Sequence, residues 1–588
     1  MKSTLNTKRS AFASFKGAAL ILPLAVASAA QAAAPAQTTW VSTETKAFIA
    51  PATRTLAATP LVELAAGSPA HVVVSLKLRN ANQLHQLARD VNDRKSTRFR
   101  KFLTHQQFLA DYAPTEAQVQ AVVTHLRKNG FINIRVAPNR LLVSADGTAS
   151  SVKSGFNTPL VHFQRDNREV FANTAPAQVP EALSDTVLSV LGLQNVTRAH
   201  TMLHAGPRTQ AKTLATGTAT GHSPTEFPAL YDVGNTPSAA NTTVGIITQG
   251  GVSQATQDLN QFTSANNLPT VNVQTVQTGG PNGDYSDDQE GQGEWDLDSQ
   301  SIVGAAGGAV NQLLFYMADN SASGNTGLTQ AFNQAVSDNL AKVINVSLGW
   351  CEADAYSDGT MAAEDQIFTT AVAQGQTFSV SSGDEGVYEC NNRGYPDGST
   401  YSISWPASSP NVIAVGGTTL YTTASDGYAS ETVWNEGLDQ NGKLWASTGG
   451  FSSYEAAPTW QSTLSVSPKP AGRAVPDISF DAAQSTGALV YNYGQIQQIG
   501  GTSLSSPIFV GFYARLESAN SNSLGFPAAS IYSAVQSTPA LVHDVTSGNN
   551  GYGGYGYNAG KGWDYPTGWG SFDISKLVTY VQGHKFAQ

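Results

Sequence analysis

The sequence predicts an α/β protein in two parts, a small α+β domain followed by a parallel sheet covered by helices on both faces. Three observations carry this. From Thr243 onward, apolar runs of strand length alternate with helical stretches, the pattern of a parallel sheet buried on both sides. Between residues about 40 and 200, short strands and helices alternate without such fully apolar runs. The two stretches also differ in charge: residues 1–214 hold 24 Lys and Arg against 11 Asp and Glu, whereas residues 215–588 hold 9 against 32.

In the first part, residues 1–32 begin with Lys2, Lys8, Arg9 and Lys16, continue through the apolar stretch from Ala18 to Val26, and end in Ala30-Gln31-Ala32. This is the layout of a secretory signal peptide. The apolar run is shorter than the roughly 20 residues of a spanning helix and contains Pro23, and no later segment is a membrane-span candidate. Ala70 to Leu76 reads as a strand. Pro114-Thr115-Glu116 opens a helix with Val119, Val122, Val123 and Leu126 at helical spacing, closed by Gly130, and Phe131 to Val136 and Leu141 to Ser144 read as paired strands. Residues 205–222 lack periodicity and are expected to be a flexible linker.

In the second part, Val244–Thr248, Gln312–Tyr316, Val343–Ser347, Thr377–Ser381 and Val412–Val415 are the strand candidates, and functional residues are expected at their C-terminal ends. Residues 549–560, rich in Gly, Tyr and Asn, read as a loop. The scarcity of Lys and Arg argues against nucleic acid, because phosphate neutralisation needs clustered cations. The excess of carboxylates reads either as a solubilising surface or as adaptation to low pH, and a basic first part would then bind the acidic second part at neutral pH and loosen as carboxylates protonate. Cys351 and Cys390, the two cysteines of an exported chain, are expected to pair. Their loop of ~40 residues contributes roughly 4 kcal/mol in the chain-entropy model.

Gly501-Thr502-Ser503-Leu504-Ser505-Ser506-Pro507 looks like a serine nucleophile at a helix start, where N–H groups and the helix dipole favour an oxyanion. The plainer reading is that Ser503 caps the helix, with Pro507 in its first turn. Beyond residue 215 the histidines are His222, His543 and His584, none in a catalytic context, so a Ser-His-Asp triad lacks its base. Glu294 and Asp298 are spaced to share one helix face ahead of small apolar residues. They are either a solvated face or a buried pair that shares a proton and supplies a base at acid pH. Asp296 points elsewhere and reads as structural. Asp384, in Ser382-Gly383-Asp384-Glu385-Gly386, is a turn aspartate or, in its acid form, a donor to an oxyanion.

Together, Glu294, Asp298, Asp384, the G-T-S-x-x-x-P pattern around Ser503 and the C-terminal Gly-rich segment resemble the sedolisins, serine-carboxyl peptidases on a subtilisin-like fold, and most nearly their bacterial members. The resemblance covers nearly the whole chain. It implies a subtilisin-like sheet preceded by a ferredoxin-like prodomain, with Ser503 as nucleophile, Glu294 as general base and acid, Asp298 as the partner that holds Glu294, and Asp384 as oxyanion donor. It also implies one structural calcium ion, held by the carboxylates of Asp544 and Asp564 and the carbonyls of Val545, Gly560 and Gly562, a set of hard oxygens that suits this cation.

The expected protein is a secreted monomeric zymogen, exported to the periplasm or beyond: signal 1–32, propeptide 33–214 acting as intramolecular inhibitor and chaperone, and an acid endopeptidase 215–588 released by self-cleavage at Leu214-Ala215. Polypeptides are the expected substrates, with Asn345 to Gly349 and Thr448 to Ser452 as cleft edges, Trp295 as cleft wall or core, and Glu389 and Arg393 as a salt bridge at a specificity pocket. The rival readings are a retaining glycosidase built on the paired carboxylates, which leaves Ser503 and the prosegment unexplained, and a calcium-stabilised binding protein on a protease-like scaffold.

Overall fold

Six parallel strands form the backbone of the C-terminal part, in the order Val273–Gln277, Val310–Ala318, Ala239–Gln249, Val343–Val346, Thr377–Ser381, Ile413–Thr422. Ile478–Asp481 continues the sheet in parallel, and Tyr428–Val433 pairs antiparallel to Ile413–Thr422. The five predicted strands are all present. Val273–Gln277 escaped the reading because an edge strand with Gln274, Thr275 and Gln277 exposed lacks the continuous apolar run of its buried neighbours. The computed structural model describes residues 38–48, 61–165, 167–206, 212–214, 217–288, 291–390, 401–425 and 427–584. The predicted signal at 1–32, Ala215 of the predicted junction, and Arg393 lie outside the described residues. From Trp40 the chain forms one compact unit.

The N-terminal part folds as βαββαβ. Its strands lie in the order Ile132–Val136, Leu142–Thr148, Pro69–Leu76, Val187–Leu191, all antiparallel, which is the ferredoxin-like arrangement. The helix predicted after Pro114 spans Glu116–Lys128. Thr115 and Gln118 close a capping box at its start, and its predicted apolar stripe is buried. Strand alternation divides the work of this sheet. Val72, Val74 and Leu76 face the domain's own helices, while Val73, Leu142 and Leu191 join the core of the C-terminal part. Gln366, on the helix Thr360–Gln374, reaches back to the Ser75 hydroxyl at 3.0 Å and the Leu76 carbonyl at 2.9 Å.

The contacts between the two parts are charged as well as neutral: the Arg135 guanidinium donates to the Gly279 carbonyl at 2.8 Å, and the Lys46 ammonium lies 3.8 Å from the centre of the Tyr356 ring. Asn139 donates to Asn333, Gln194 to Asp358 and Thr197 to Asp354, and Asn92 accepts from the Phe526 amide, all hydrogen bonds made by neutral prodomain side chains. Ion pairs across the boundary occur where the chain crosses the cleft, at His200 and His204. Nor is the stretch after residue 200 a free linker where it is described. His204–Gly206 pairs with Gln495–Gly500, and Lys212–Leu214 forms a hairpin with Gly217–Ala219 on the edge of the main sheet. Backbone pairing of this kind needs an available edge rather than a side-chain pattern, so periodicity could not reveal it.

Cys351 and Cys390 form the expected disulfide. Largely buried helices pass against the sheet: Gln292–Ala305 and Thr502–Ala519 pack on each other, with Gly511 so close to Ala305 that a Cβ on it would lie 2.6 Å from the Ala305 side chain. This is what the small residues after Asp298 are for.

Candidate active site

The helix Gln292–Ala305 is buried on every side, so Glu294 and Asp298 are 0 % exposed and are not a solvated face. Ser503 is equally buried, in the first turn of Thr502–Ala519. It is not the cap. Gly501 holds that place at φ 96°, in the region that favours glycine. Pro507 falls in the second turn rather than the first, and its missing N–H leaves the Ser503 carbonyl without a helical donor. Asp384 follows the strand Thr377–Ser381, as its sequence position predicted.

The polar atoms of these residues converge. Asp384 Oδ1 accepts the Thr502 amide at 2.8 Å and the Thr502 hydroxyl at 2.7 Å, which fixes the carboxyl beside the helix start. Asp298 Oδ1 accepts from Ser347 Oγ at 2.7 Å. Ser347 is itself held by Asn345 Nδ2 at 2.9 Å, and Asn345 Oδ1 accepts from Ser506 Oγ at 2.7 Å. This polar chain ties the end of one central strand to both buried helices. Each candidate keeps a buried atom with no hydrogen-bond partner: both Glu294 oxygens, Asp298 Oδ2, Asp384 Oδ2 and Ser503 Oγ. Unpaired buried polar atoms are costly, and the grouping of five of them here makes this cluster the candidate site.

Burial is the main cause of raised pKa values here. It lifts Glu294 well above the carboxylate range, the charge of Asp298 adds to this, and the facing Ser503 hydroxyl opposes it without closing to hydrogen-bond distance. Asp298 is also raised by burial, against the hydrogen bonds of Ser347 and Asn345. Asp384 is pushed up by burial to about 7, so its acid form is populated throughout the acid range. Asp296 is pushed up to about 8 by burial and the charge of Asp258. It binds Asn492 at 2.9 Å and fastens the helix to the neighbouring hairpin, the structural role its position suggested.

The cleft already holds a piece of the chain. His200–Thr201 lies antiparallel to Leu348–Gly349, within the stretch read as a cleft edge. Glu389 faces His200 at 3.6 Å, beside Glu385, whose carboxylate also lies 3.2 Å from Lys443. His204 meets Glu436 at 2.9 Å and lies on the Trp445 ring at 4.0 Å between centroids. A histidine count confined to residues beyond 215 could not find these prodomain side chains, and neither hydrogen-bonds the Ser503 hydroxyl. Trp295 belongs to the core. Gly450–Phe451, the second predicted edge, pairs with Ala474–Val475. His222 pairs with Glu226, and His543 stacks on Tyr428, so neither serves as a base.

Residues 59–196 match the Pro-kumamolisin activation domain and residues 286–570 the Subtilase family. Sedolisin of Pseudomonas sp. (strain 101) is 73 % identical over 571 residues, covering 97 % of each chain. The chain belongs to the sedolisin family. Xanthomonalisin of Xanthomonas sp. (strain T-22) is 48 % identical, with 94 % of this chain and 73 % of the relative aligned, and kumamolisin of Bacillus sp. (strain MN-32) is 30 % identical over 72 % and 76 %. The crystal structure of Pseudomonas sedolisin in complex with pseudo-iodotyrostatin superposes with a TM-score of 0.61 at 79 % identity, covering 63 % of this chain and all of that one. The chain is therefore a serine-carboxyl peptidase with an activation prodomain, on a subtilisin-like fold, and both the glycosidase and the binding-protein readings fall.

Near the C-terminus, Asp544 accepts from the Gly562 amide at 2.9 and 3.1 Å through its two oxygens. Asp564 accepts from the amides of Gly560 at 2.8 Å and Thr567 at 2.9 Å. Four of the five sequence-predicted positions, Asp544, Gly560, Gly562 and Asp564, are linked by these hydrogen bonds. The two carboxylates lie close enough for the charge of Asp544 to act on Asp564, and Gly560 has open space around its Cα. Such a set fits a hard cation that takes most of its ligands from carbonyls.

Proposed function

We propose that the chain is an exported zymogen, with a signal at 1–32, a propeptide at 33–214 and a monomeric endopeptidase at 215–588 that hydrolyses polypeptides at acid pH. Ser503 Oγ attacks the peptide carbonyl while Glu294 takes its proton. Asp298, fixed by Ser347, holds Glu294, and the acid form of Asp384 joins the Ser503 amide in stabilising the oxyanion. Glu294 then returns the proton to the leaving nitrogen, and water hydrolyses the acyl-enzyme. The observation that carries this reading is the convergence of five unpaired buried polar atoms on the start of Thr502–Ala519.

Burial raises both Glu294 and Asp298, so the pair holds protons while the propeptide fills the cleft, and Glu294 acts as base in the singly protonated state of the pair. Asp544, Val545, Gly560, Gly562 and Asp564 would hold one calcium, whose contribution is to tie the C-terminal loop to the sheet.

Ser503→Ala should remain a stable, unprocessed precursor, with peptide hydrolysis lower by at least about 10⁴-fold. Gel analysis after acidification and a serine-directed activity probe read the two effects. Normal processing of the pure variant, or wild-type activity that rises toward neutral pH, would remove the serine-carboxyl assignment.

A further inference from the structure

The chain that crosses the cleft is positioned as a substrate, at a bond well upstream of Leu214. His200 stands opposite Gly349 and Thr201 opposite Leu348. The Met202 amide donates to the Ser347 carbonyl at 3.1 Å. Its carbonyl oxygen accepts the Ser503 amide at 2.9 Å, the contact an oxyanion donor makes with the carbonyl under attack. A Cβ on Gly501 would lie 2.2 Å from this oxygen, 2.7 Å from Asp384 Oδ2 and 2.9 Å from Leu203 Cα, so the Met202–Leu203 bond and the Asp384 carboxyl share the small space above Gly501. The Met202 side chain is fully buried, with its terminal methyl packed over Gly349. Beyond the bond, His204–Gly206 runs antiparallel to Gln495–Gly500. Both sides of the bond are held by backbone pairing, and the serine lies at the junction.

We propose that Met202–Leu203 is the first bond this protein cuts in its own chain. The inference rests on the assignment of Ser503 as nucleophile. Ser503 Oγ bonds to the Met202 carbonyl carbon and its proton passes to Glu294. The bond to the Leu203 nitrogen breaks and that nitrogen takes the proton from Glu294. Water then splits the Met202 ester, leaving a carboxyl terminus at Met202 and a free amine at Leu203. Because nucleophile and bond belong to one molecule, the step is unimolecular. It does not empty the cleft, since His204–Gly206 stays paired and His204 stays between Glu436 and Trp445. Leu214 is paired opposite Gly217 while Met202 occupies the Ser503 amide, so removal of residues 203–214 is a second step made by another molecule.

The test follows full-length precursor by intact mass and N-terminal analysis after a jump to acid pH, at two concentrations a decade apart. The expected first product begins at Leu203 and forms with the same rate constant at both concentrations, whereas the species beginning near residue 215 forms later and faster at the higher concentration. Leu203→Pro should lose the first product. If that variant fails to fold, a synthetic peptide of residues 198–206 incubated with mature enzyme should be split between Met202 and Leu203. A first product with any other N-terminus, formed in a Ser503-dependent way, overturns this inference and leaves the mechanism standing. Processing that persists in Ser503→Ala overturns the mechanism itself.

Discussion

The prodomain and the peptidase part bury different things. Among the described residues, the prodomain core around Val72, Val74, Val122 and Leu126 is apolar, and its buried polar groups are neutral ones such as Ser75, Asn139 and Gln194. The peptidase part buries seventeen carboxylates and two arginines, Arg473 and Arg515. Seventeen of the 32 carboxylates of this part, about half, are therefore inside rather than in solvent. A buried, uncompensated carboxylate is costly when ionised and tolerable when protonated, so this interior is suited to acid. The difference teaches that the charge asymmetry of the two parts acts chiefly through the interior of one of them.

The largest effect should come from the buried ion pair that this interior does compensate. Arg473 donates to both oxygens of Asp477 at 2.7 and 2.6 Å, and Tyr532 adds a hydrogen bond at 2.8 Å. Asp477→Ala strands the guanidinium and should lower stability by about 3–5 kcal/mol, read by denaturant unfolding of the mature enzyme. A loss of a few tenths would mean that the site relaxes or takes in water, and the contrast with the apolar prodomain would weaken.

The next effect is opposite in sign in the two parts. Burial raises Glu364 to about 8 and Glu352, Asp481 and Glu517 to about 7, from ordinary values of 4.5 or 3.8. A raised carboxyl contributes stability that is fully present below its unfolded value and lost as pH rises through the folded one, so the peptidase part should weaken between pH 4 and 8. In the prodomain, burial lowers His125. Burial pushes Asp146 up, but hydrogen bonds from His71 and Asn133 outweigh it and leave that carboxyl lowered. The stability these two contribute is present at neutral pH. It is lost as pH falls through the depressed value of His125, below 6.5, and then through that of Asp146, below 3.8. Calorimetry of the Ser503→Ala precursor from pH 3 to 8 should show the prodomain transition falling in acid while the peptidase transition rises. Parallel movement of both would break the comparison.

The smallest effect concerns the C-terminal loop. Chelation of calcium from mature enzyme should lower its melting temperature, and Asp544→Asn should reduce the response to chelator. In the Ser503→Ala precursor the same chelation should leave the prodomain transition in place. An unchanged melting temperature would exclude the ion at this loop.

Much of this protein is determined by its sequence alone. Five central strands, the prodomain helix capped at Thr115 and the placement of Asp384 after a strand follow from local periodicity, capping chemistry and the rule for parallel sheets. Glu294 and Asp298 at i and i+4 specify a shared helix face, but whether that face meets water depends on the small residues that let Thr502–Ala519 pack against it. Only the tertiary structure decided that Gly501 caps the helix and frees Ser503, that the stretch from His200 to Gly206 lies in the cleft, and that Met202 meets the Ser503 amide. These outcomes rest on backbone hydrogen bonds between segments up to hundreds of residues apart, which carry no side-chain periodicity and arise only when the folded sheets leave an edge to be paired.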